Sequence, residues 1–335
     1  MEAIFENSID AKASEFGNSI DAKASDDNMA RWLEQRLGPH HATTRLHKEI
    51  ALEAAMKRPR FRERMRLGRL IDAMVPGALR LSGVLGRGQA NAAKFGVVRN
   101  QVNLTRLPPA FDGFTILHLT DFHADLSEGA MRALPNAIGG LQYDICVLTG
   151  DFRGRIIGPH QTAVALTHHA ISGIRRPIYG VLGNHDSAEM VKDLETLGVH
   201  MLMNEAEAIA RGSDKLWIVG VDDPHYYRVD DLPLALVSVP AGAPTILLSH
   251  STDGYRRAGE AGIDLMLSGH THGGQICLPG GIPVVTSSRE PRHMASGPWA
   301  HREMVGYTSK GVGTSVIDAR FNCAPEIVLH TLRSR

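Results

Sequence analysis

The chain has 335 residues, of which 43% are hydrophobic and 21% charged, and its formal net charge is zero. This composition is typical of a globular protein and argues against an intrinsically disordered chain. No apolar run reaches the ~18 residues that a transmembrane helix needs, and the balanced charge indicates no class of partner. The three cysteines (Cys146, Cys277 and Cys323) are odd in number and far apart. They give no disulfide framework, so we expect a cytoplasmic protein.

The beginning of the chain contains a perfect repeat, because NSIDAKAS occurs at residues 7–14 and again at 18–25. The repeated segment is small and polar and has too few apolar side chains to form a core. It also lacks the apolar segment of a secretory signal. We interpret residues 1–28 as a leader added for expression or as a disordered segment, with a natural duplication as the alternative.

Residues 29–112 are predicted to form a basic, mainly helical N-terminal extension. Residues 29–100 hold 15 lysines and arginines against 5 acidic residues, a net charge of +10, with the densest run at 57–69. One interpretation is a set of helices packed on the main domain with a solvated basic face. The other is peripheral contact with the inner face of the membrane through 57–86, by attraction to anionic headgroups. Apart from Phe61 no aromatic residue interleaves the basic run, so no specific nucleic-acid partner is predicted.

Strand-like and helix-like runs alternate from residue 113 onward. Strands are predicted at 114–120, 143–149, 177–183, 215–221, 244–250 and 264–270, helices at 128–140, 160–173, 187–197 and 252–261, and further strands within 313–332. Apolar strands separated by helices are typical of a buried sheet with helical cover. The fold class is therefore α/β, in one domain over residues 113–335.

Polar side chains follow five of these strands. They are Asp121 and His123, Asp151, Asn184 with His185 and Asp186, His250, and finally His270 and His272. Each alone fits a turn or a helix cap. Five clusters of similar chemistry at strand ends, where α/β sheets bind ligands, instead indicate metal coordination by nitrogen and oxygen donors, which suits Zn, Mn or Fe. Apart from His185 and Asp186, seven of these residues are candidate ligands, which is more than one tetrahedral site can take. We therefore predict two divalent ions, ~3.5–4 Å apart if they share a carboxylate.

The order of the motifs D-x-H, G-D, G-N-H-D, H and G-H-x-H resembles that of the calcineurin-like metallophosphoesterases. LSGHTHGGQICLP (267–279) and YGVLGNHD (179–186) are similar to a bacterial phosphodiesterase branch with a GHTHGGQ motif. The resemblance covers about residues 113–332 and implies a four-layer α/β/β/α sandwich with two mixed sheets. It further implies one ion on Asp121, His123, Asp151 and His272, and a second on Asp151, Asn184, His250 and His270. Many members have a further Asp where this chain has Gly154.

The resemblance implies hydrolysis of phosphodiester bonds by a hydroxide held at two metals, with His185 assisting the leaving group. Alternatives are a phosphomonoesterase, or a pyrophosphatase acting on a nucleotide-linked lipid. A binding protein without activity is disfavoured because no ligand position is lost. Asp186 is predicted either to orient His185 or to cap a helix. The candidate substrate contacts, each with a purely structural alternative, are Arg153, His225, Tyr226 and Arg228.

Overall fold

The computed structural model describes residues 24–57, 77, 79–283, 285–286 and 288–335. Most of the duplicated leader and nearly all of the basic run at 57–69 lie outside these residues. The interpretations of both segments therefore stay predictions. None of the helices in the described part of the chain combines the length and the apolar character needed to cross a bilayer.

The secondary-structure elements are numbered here in chain order within the described residues. The α-helices are α1 (Ala24–Leu37), α2 (Pro39–Lys57), α3 (Leu85–Ala92), α4 (Glu128–Ile138), α5 (Gln161–Ile171), α6 (Met190–Thr196), α7 (Leu232–Ala235) and α8 (Tyr255–Glu260). The strands are β1 (Gly96–Leu104), β2 (Thr115–Leu119), β3 (Ile145–Leu148), β4 (Ile178–Gly180), β5 (Val199–Met201), β6 (Glu205–Arg211), β7 (Asp214–Gly220), β8 (Thr245–Leu248), β9 (Leu265–Ser268), β10 (Cys277–Leu278), β11 (Ile282–Pro283), β12 (Gly297–His301), β13 (Met304–Thr308) and β14 (Glu326–Ser334).

Two six-stranded sheets form the centre of the molecule. The first has the order β1-β14-β2-β3-β4-β5 and the second the order β12-β13-β9-β8-β7-β6. In the first sheet only β14 and β2 pair antiparallel. In the second the outer pairs β12–β13 and β6–β7 are antiparallel and the inner pairs parallel. Both sheets are therefore mixed, as predicted.

Strand β2 shows how the sequence builds the layers. Successive side chains of a strand point to opposite faces of its sheet. Ile116 therefore joins the core between the two sheets, while Leu117 and Leu119 join the core under α4, α5 and α6. A third core lies between the second sheet and helices α7 and α8. The four-layer α/β/β/α sandwich is thus confirmed.

The described part of the N-terminal extension contains three α-helices and one strand of the first sheet. Helices α1 and α2 pack on the domain, where Leu33 belongs to one buried cluster with Ala188 and Leu52 to another with Tyr227. Strand β1, which the sequence prediction placed in the helical extension, pairs in parallel with β14 over nine residues. A domain boundary at residue 112 would therefore separate β1 from the other strands of the first sheet. The prediction of several strands within 313–332 was also too broad, because β14 is the regular strand there and residues 313–325 are mainly loop.

Candidate metal centre

The candidate ligands lie in the loops that follow β2, β3, β4, β8 and β9, and their backbone is unusual. Asp121, His123, Asp151, His270 and His272 all have positive φ angles, between 38° and 75°. This left-handed region is uncommon for residues other than glycine and costs of order 1–3 kcal/mol at each position. Strain of this kind is concentrated at functional sites, and five of the seven candidate ligands carry it.

Two glycines allow the loops to approach one another. A Cβ atom on Gly183 would overlap the carboxylate and backbone nitrogen of Asp151, and one on Gly269 would overlap Asp121 and Thr120. Each glycine therefore admits the carboxylate of a candidate ligand into direct contact with the backbone of the neighbouring loop.

The first donor group consists of Asp121, His123 and His272, whose ligand atoms lie within 4.8 Å of one another. The two imidazole Nε2 atoms are 3.0 Å apart, and His272 Nε2 is 3.4 Å from Asp121 Oδ1. His123 Nδ1 lies 3.0 Å from the carbonyl oxygen of Arg153, which places its proton on Nδ1. His123 Nε2 therefore has its lone pair directed into the group.

The second donor group consists of Asp151, His250 and His270. His250 Nδ1 donates to the carbonyl oxygen of Thr149 at 2.8 Å, which directs its Nε2 inward. That nitrogen is 3.2 Å from Asp151 Oδ2 and 3.2 Å from His270 Nδ1.

One carboxylate oxygen lies between the two groups. Asp151 Oδ2 is 3.4 Å from His123 Nε2 in the first group and 3.2 Å from His250 Nε2 in the second. Asn184 Oδ1 is buried and has no hydrogen-bond partner among the described residues. A buried carbonyl oxygen without a partner is costly unless another electrophile, such as a metal ion, completes it. The donors present, imidazole nitrogen with carboxylate and amide oxygen, therefore fit a pair of transition-metal or zinc ions.

Three of the four imidazoles in the two donor groups are held in the neutral form. Burial lowers the pKa of His123 to about 3, and burial together with neighbouring histidines holds the pKa of His270 and His272 well below the usual range. These three imidazoles are thus neutral, the form that binds metal. Burial disfavours the charged forms of Asp151 and His250, but their mutual attraction prevails. It keeps the pKa of Asp151 well below its usual range and raises that of His250 to about 10.

His185 lies beside both donor groups. Its ring is held by the carbonyl oxygen of Gly154 and not by the carboxylate of Asp186. Its ring is edge-on to His123 at 4.7 Å, and its Nδ1 is 2.7 Å from the carbonyl oxygen of Gly154. The carboxylate of Asp186 instead accepts four backbone N–H bonds, from Asp151, from the next two residues and from Gly183. Asp186 therefore binds one loop to the next. It neither contacts the His185 ring nor caps α6, whose N-cap is Glu189.

The candidate substrate contacts separate into two kinds. Arg153 is buried and donates to the carbonyl oxygens of His185, Ile156 and Gly158, so its guanidinium organises a loop. Its predicted contact with a phosphate stays a prediction. His225 lies at the cluster, with its ring 4.2 Å from that of His270. Tyr226 stacks on His225 at 5.2 Å. Arg228 is exposed, and its carbonyl oxygen accepts a bond from Lys48.

Two supporting side chains have no recognisable signal in the sequence. Arg320 is fully buried, donates to the carbonyl oxygens of Lys310 and Gly313, and lies 3.4 Å from His272 Nδ1. Arg45 of α2 reaches the loop after β4 through the carbonyl oxygen of Asp186. Both arginines hold the loops of the cluster from segments outside the recognised motifs.

The comparison with known proteins agrees with this arrangement. A family model described as calcineurin-like phosphoesterase matches residues 114–274, which contain all seven candidate ligands. The phosphodiesterase YaeI of Escherichia coli (strain K12) is 31% identical over 233 residues, covering 64% of this chain and 81% of YaeI.

Two further relatives cover similar shares. The uncharacterized metallophosphoesterase YkoQ of Bacillus subtilis (strain 168) is 29% identical over 235 residues, covering 67% of this chain and 85% of YkoQ. The UDP-2,3-diacylglucosamine pyrophosphatase LpxG of Chlamydia trachomatis serovar D is 24% identical over 298 residues, covering 70% of this chain and 88% of LpxG.

Proposed function

The chain belongs to the calcineurin-like phosphoesterase family, and on that premise we propose that it is a phosphodiesterase with a centre of two divalent metal ions. The observation that carries the proposal is the position of Asp151 Oδ2 between the two donor groups. One carboxylate oxygen close to imidazole nitrogens of both groups is suited to bridge two cations.

The residues divide between the two ions by proximity. Asp121, His123 and His272 hold the first ion, and His250 and His270 hold the second. Asp151 would serve both, and Asn184, whose buried Oδ1 has no hydrogen-bond partner among the described residues, would complete the second, as the family resemblance implies. Mn, Zn and Fe all suit this set of nitrogen and oxygen donors.

The bound cations supply an activated water and neutralise charge on the phosphoryl oxygens. His185 assists the leaving group. Its Nδ1 proton is engaged by the carbonyl oxygen of Gly154, so proton exchange with a substrate takes place at Nε2. The backbone N–H of His185 donates to Asp151 Oδ1 at 2.9 Å, which links the position of this histidine to that of the bridging carboxylate.

Pyrophosphate hydrolysis is the second candidate, favoured by the similarity to LpxG, whose name gives a lipid-linked nucleotide as its substrate. A nucleotide-linked lipid would also be consistent with the alternative prediction that residues 57–86 make peripheral contact with the inner face of the membrane. A phosphomonoesterase on the same scaffold is the remaining alternative.

The test uses protein stripped of metal and reloaded separately with Mn, Zn or Fe. Each form is assayed with a panel of phosphodiesters, nucleotide pyrophosphates and phosphomonoesters, and metal is counted by elemental analysis. We expect two ions per chain and the highest kcat/KM on diesters. Preference for pyrophosphates would favour the second candidate, and absence of activity with two ions bound would contradict a phosphoesterase. His200→Ala is the matched control for His250→Ala, because His200 is exposed and belongs to neither donor group.

A further inference from the structure

The side chain of Arg45, in the middle of α2, is fully buried. Its guanidinium donates through Nη1 to Asp222 Oδ1 at 2.7 Å, through Nη2 to the carbonyl oxygen of Asp186 at 2.6 Å, and through Nε to Glu49 Oε1 at 2.7 Å. All three nitrogens therefore have acceptors. A charge removed from water to this degree is retained only where its partners are well placed.

Two of these partners, Asp186 and Asp222, lie in the two loops that flank the candidate metal centre, whereas Glu49 belongs to α2 itself. Asp186 directly follows His185, the proposed leaving-group residue. Asp222 begins the loop that carries His225, whose ring contacts His270. In the same loop the ring of Tyr227 packs 3.6 Å from the guanidinium carbon of Arg45.

Helix α2 makes further hydrogen bonds to the loop that begins at Asp222. His41 Nε2 lies 2.8 Å from Asp222 Oδ2, so Arg45 and His41 occupy both carboxylate oxygens of Asp222. Lys48 donates to the carbonyl oxygen of Tyr227 at 2.6 Å. One face of α2 thus carries several of the contacts that hold the 222–229 loop, which is also bonded to Asn204 and Asp253.

We propose that Arg45 is a positioning residue for the reaction. It fixes the loop of His185 and the loop of His225 relative to each other beside the candidate metal centre. The catalytic part of this inference rests on the proposed function, because it takes His185 to assist the leaving group. It assigns to α2, which lies outside residues 114–274, a part in the active site rather than a merely stabilising one.

Arg36 of α1 provides a matched control. It anchors the α1–α2 pair to the domain through Glu195 at 2.9 Å, Glu205 at 2.6 Å and the carbonyl oxygen of Met201 at 2.7 Å. These acceptors belong to neither of the two loops. Arg36→Met therefore weakens helix docking without releasing His185 or His225.

The experiment compares Arg45→Met with Arg36→Met in the full chain with metal bound. We measure kcat/KM on an aryl diester, whose leaving group needs no proton, and on an alkyl diester, whose leaving group does. We expect Arg45→Met to lower the alkyl value ~10–100-fold more than the aryl value, since a misplaced catalytic group costs about that much. Arg36→Met should leave the ratio unchanged. In a His185→Ala background Arg45→Met should add no further change to the ratio.

Amide hydrogen exchange provides a readout that does not depend on the reaction. Exchange at 183–188 and 222–229 should accelerate in Arg45→Met and stay at the wild-type rate in Arg36→Met. If the wild type hydrolyses no ester, the proposed function is wrong, and exchange still decides whether Arg45 holds the loops. If Arg45→Met fails to fold, Arg45→Lys, which keeps the charge but loses the planar fork, takes its place in both measurements. An unchanged substrate ratio in a folded variant, or equal effects in the Arg36 variant, would overturn the inference.

Discussion

Replacing Asp186 by Asn tests how the loops of the centre are held together. The two side chains have the same shape, but the amide offers one acceptor oxygen where the carboxylate offers two. Each carboxylate oxygen accepts two backbone N–H bonds, Oδ1 from Phe152 and Arg153 and Oδ2 from Asp151 and Gly183, at 2.8 to 3.2 Å. In the variant the amide NH₂ would therefore face at least two backbone N–H groups and leave them without an acceptor.

The expected loss of stability follows from these bonds. A buried donor left without an acceptor costs about 1–3 kcal/mol, so two of them cost roughly 2–6 kcal/mol. Burial and the neighbouring Asp151 raise the pKa of Asp186 to about 6, and removing this buried charge offsets part of the cost. We therefore expect the free energy of unfolding to fall by ~2 kcal/mol, the lower end of the range that two lost acceptors give.

The measurement is urea unfolding at pH 8, where the carboxylate is charged, in the presence of a chelator so that metal release does not contribute. Asp231→Asn is the control, because Asp231 is exposed and accepts a single bond from Leu234 N at 3.0 Å. Asn replaces Asp well at such a helix cap, and this variant should unfold like the wild type. Equal stability of the Asp186 and Asp231 variants would refute the assignment of Asp186 as the link between the loops.

Three other predictions concern the centre and its support. Asp151→Asn should abolish most activity and lower the occupancy of both metal positions, and two ions retained at wild-type affinity in elemental analysis would exclude a bridging role. His185→Ala should keep both ions and lower kcat/KM ~10²–10⁴-fold on alkyl diesters but little on aryl diesters, and a uniform loss would instead indicate stabilisation of the phosphoryl oxygens. Burial disfavours the charged form of Asp222, but Arg45 and His41 outweigh it and lower the pKa below its usual value of 3.8. The stability that Asp222 gains from Arg45 and His41 is therefore present above pH ~4, and it is lost as the pH falls through the lowered pKa of Asp222. In acid titrations of unfolding free energy, the wild type should decline more steeply than Asp222→Asn, and parallel curves would argue against the pair.

The sequence predicts the elements that position the centre better than the contacts that support it. Six buried strands and the polar residues after five of them follow from local patterns, because each strand is a short apolar run that ends in a loop. Metal ligands of this kind are recognisable because their chemical types are few and their places in the sheet are fixed.

The supporting contacts connect residues that are distant in the chain. Arg45 binds partners 141 and 177 positions away, and in the sequence it stands in a basic region that is typical of a solvated face. Arg153 stands two residues after Asp151, yet its guanidinium donates to backbone carbonyl oxygens. An arginine donates equally well to a phosphate and to a carbonyl oxygen, so residue type cannot separate these outcomes.

The place of β14 in the first sheet has a consequence for biosynthesis. This strand lies between β1 and β2, yet among the described elements it is synthesised last. Until residues 326–334 emerge, β1 lacks its only neighbour in the sheet and β2 has an open edge on that side. Such edges invite pairing with other chains, so we expect the incomplete chain to be prone to aggregation until β14 is in place. A stop codon that removes only the last ten residues should therefore yield aggregated protein, although it deletes no ligand of the centre.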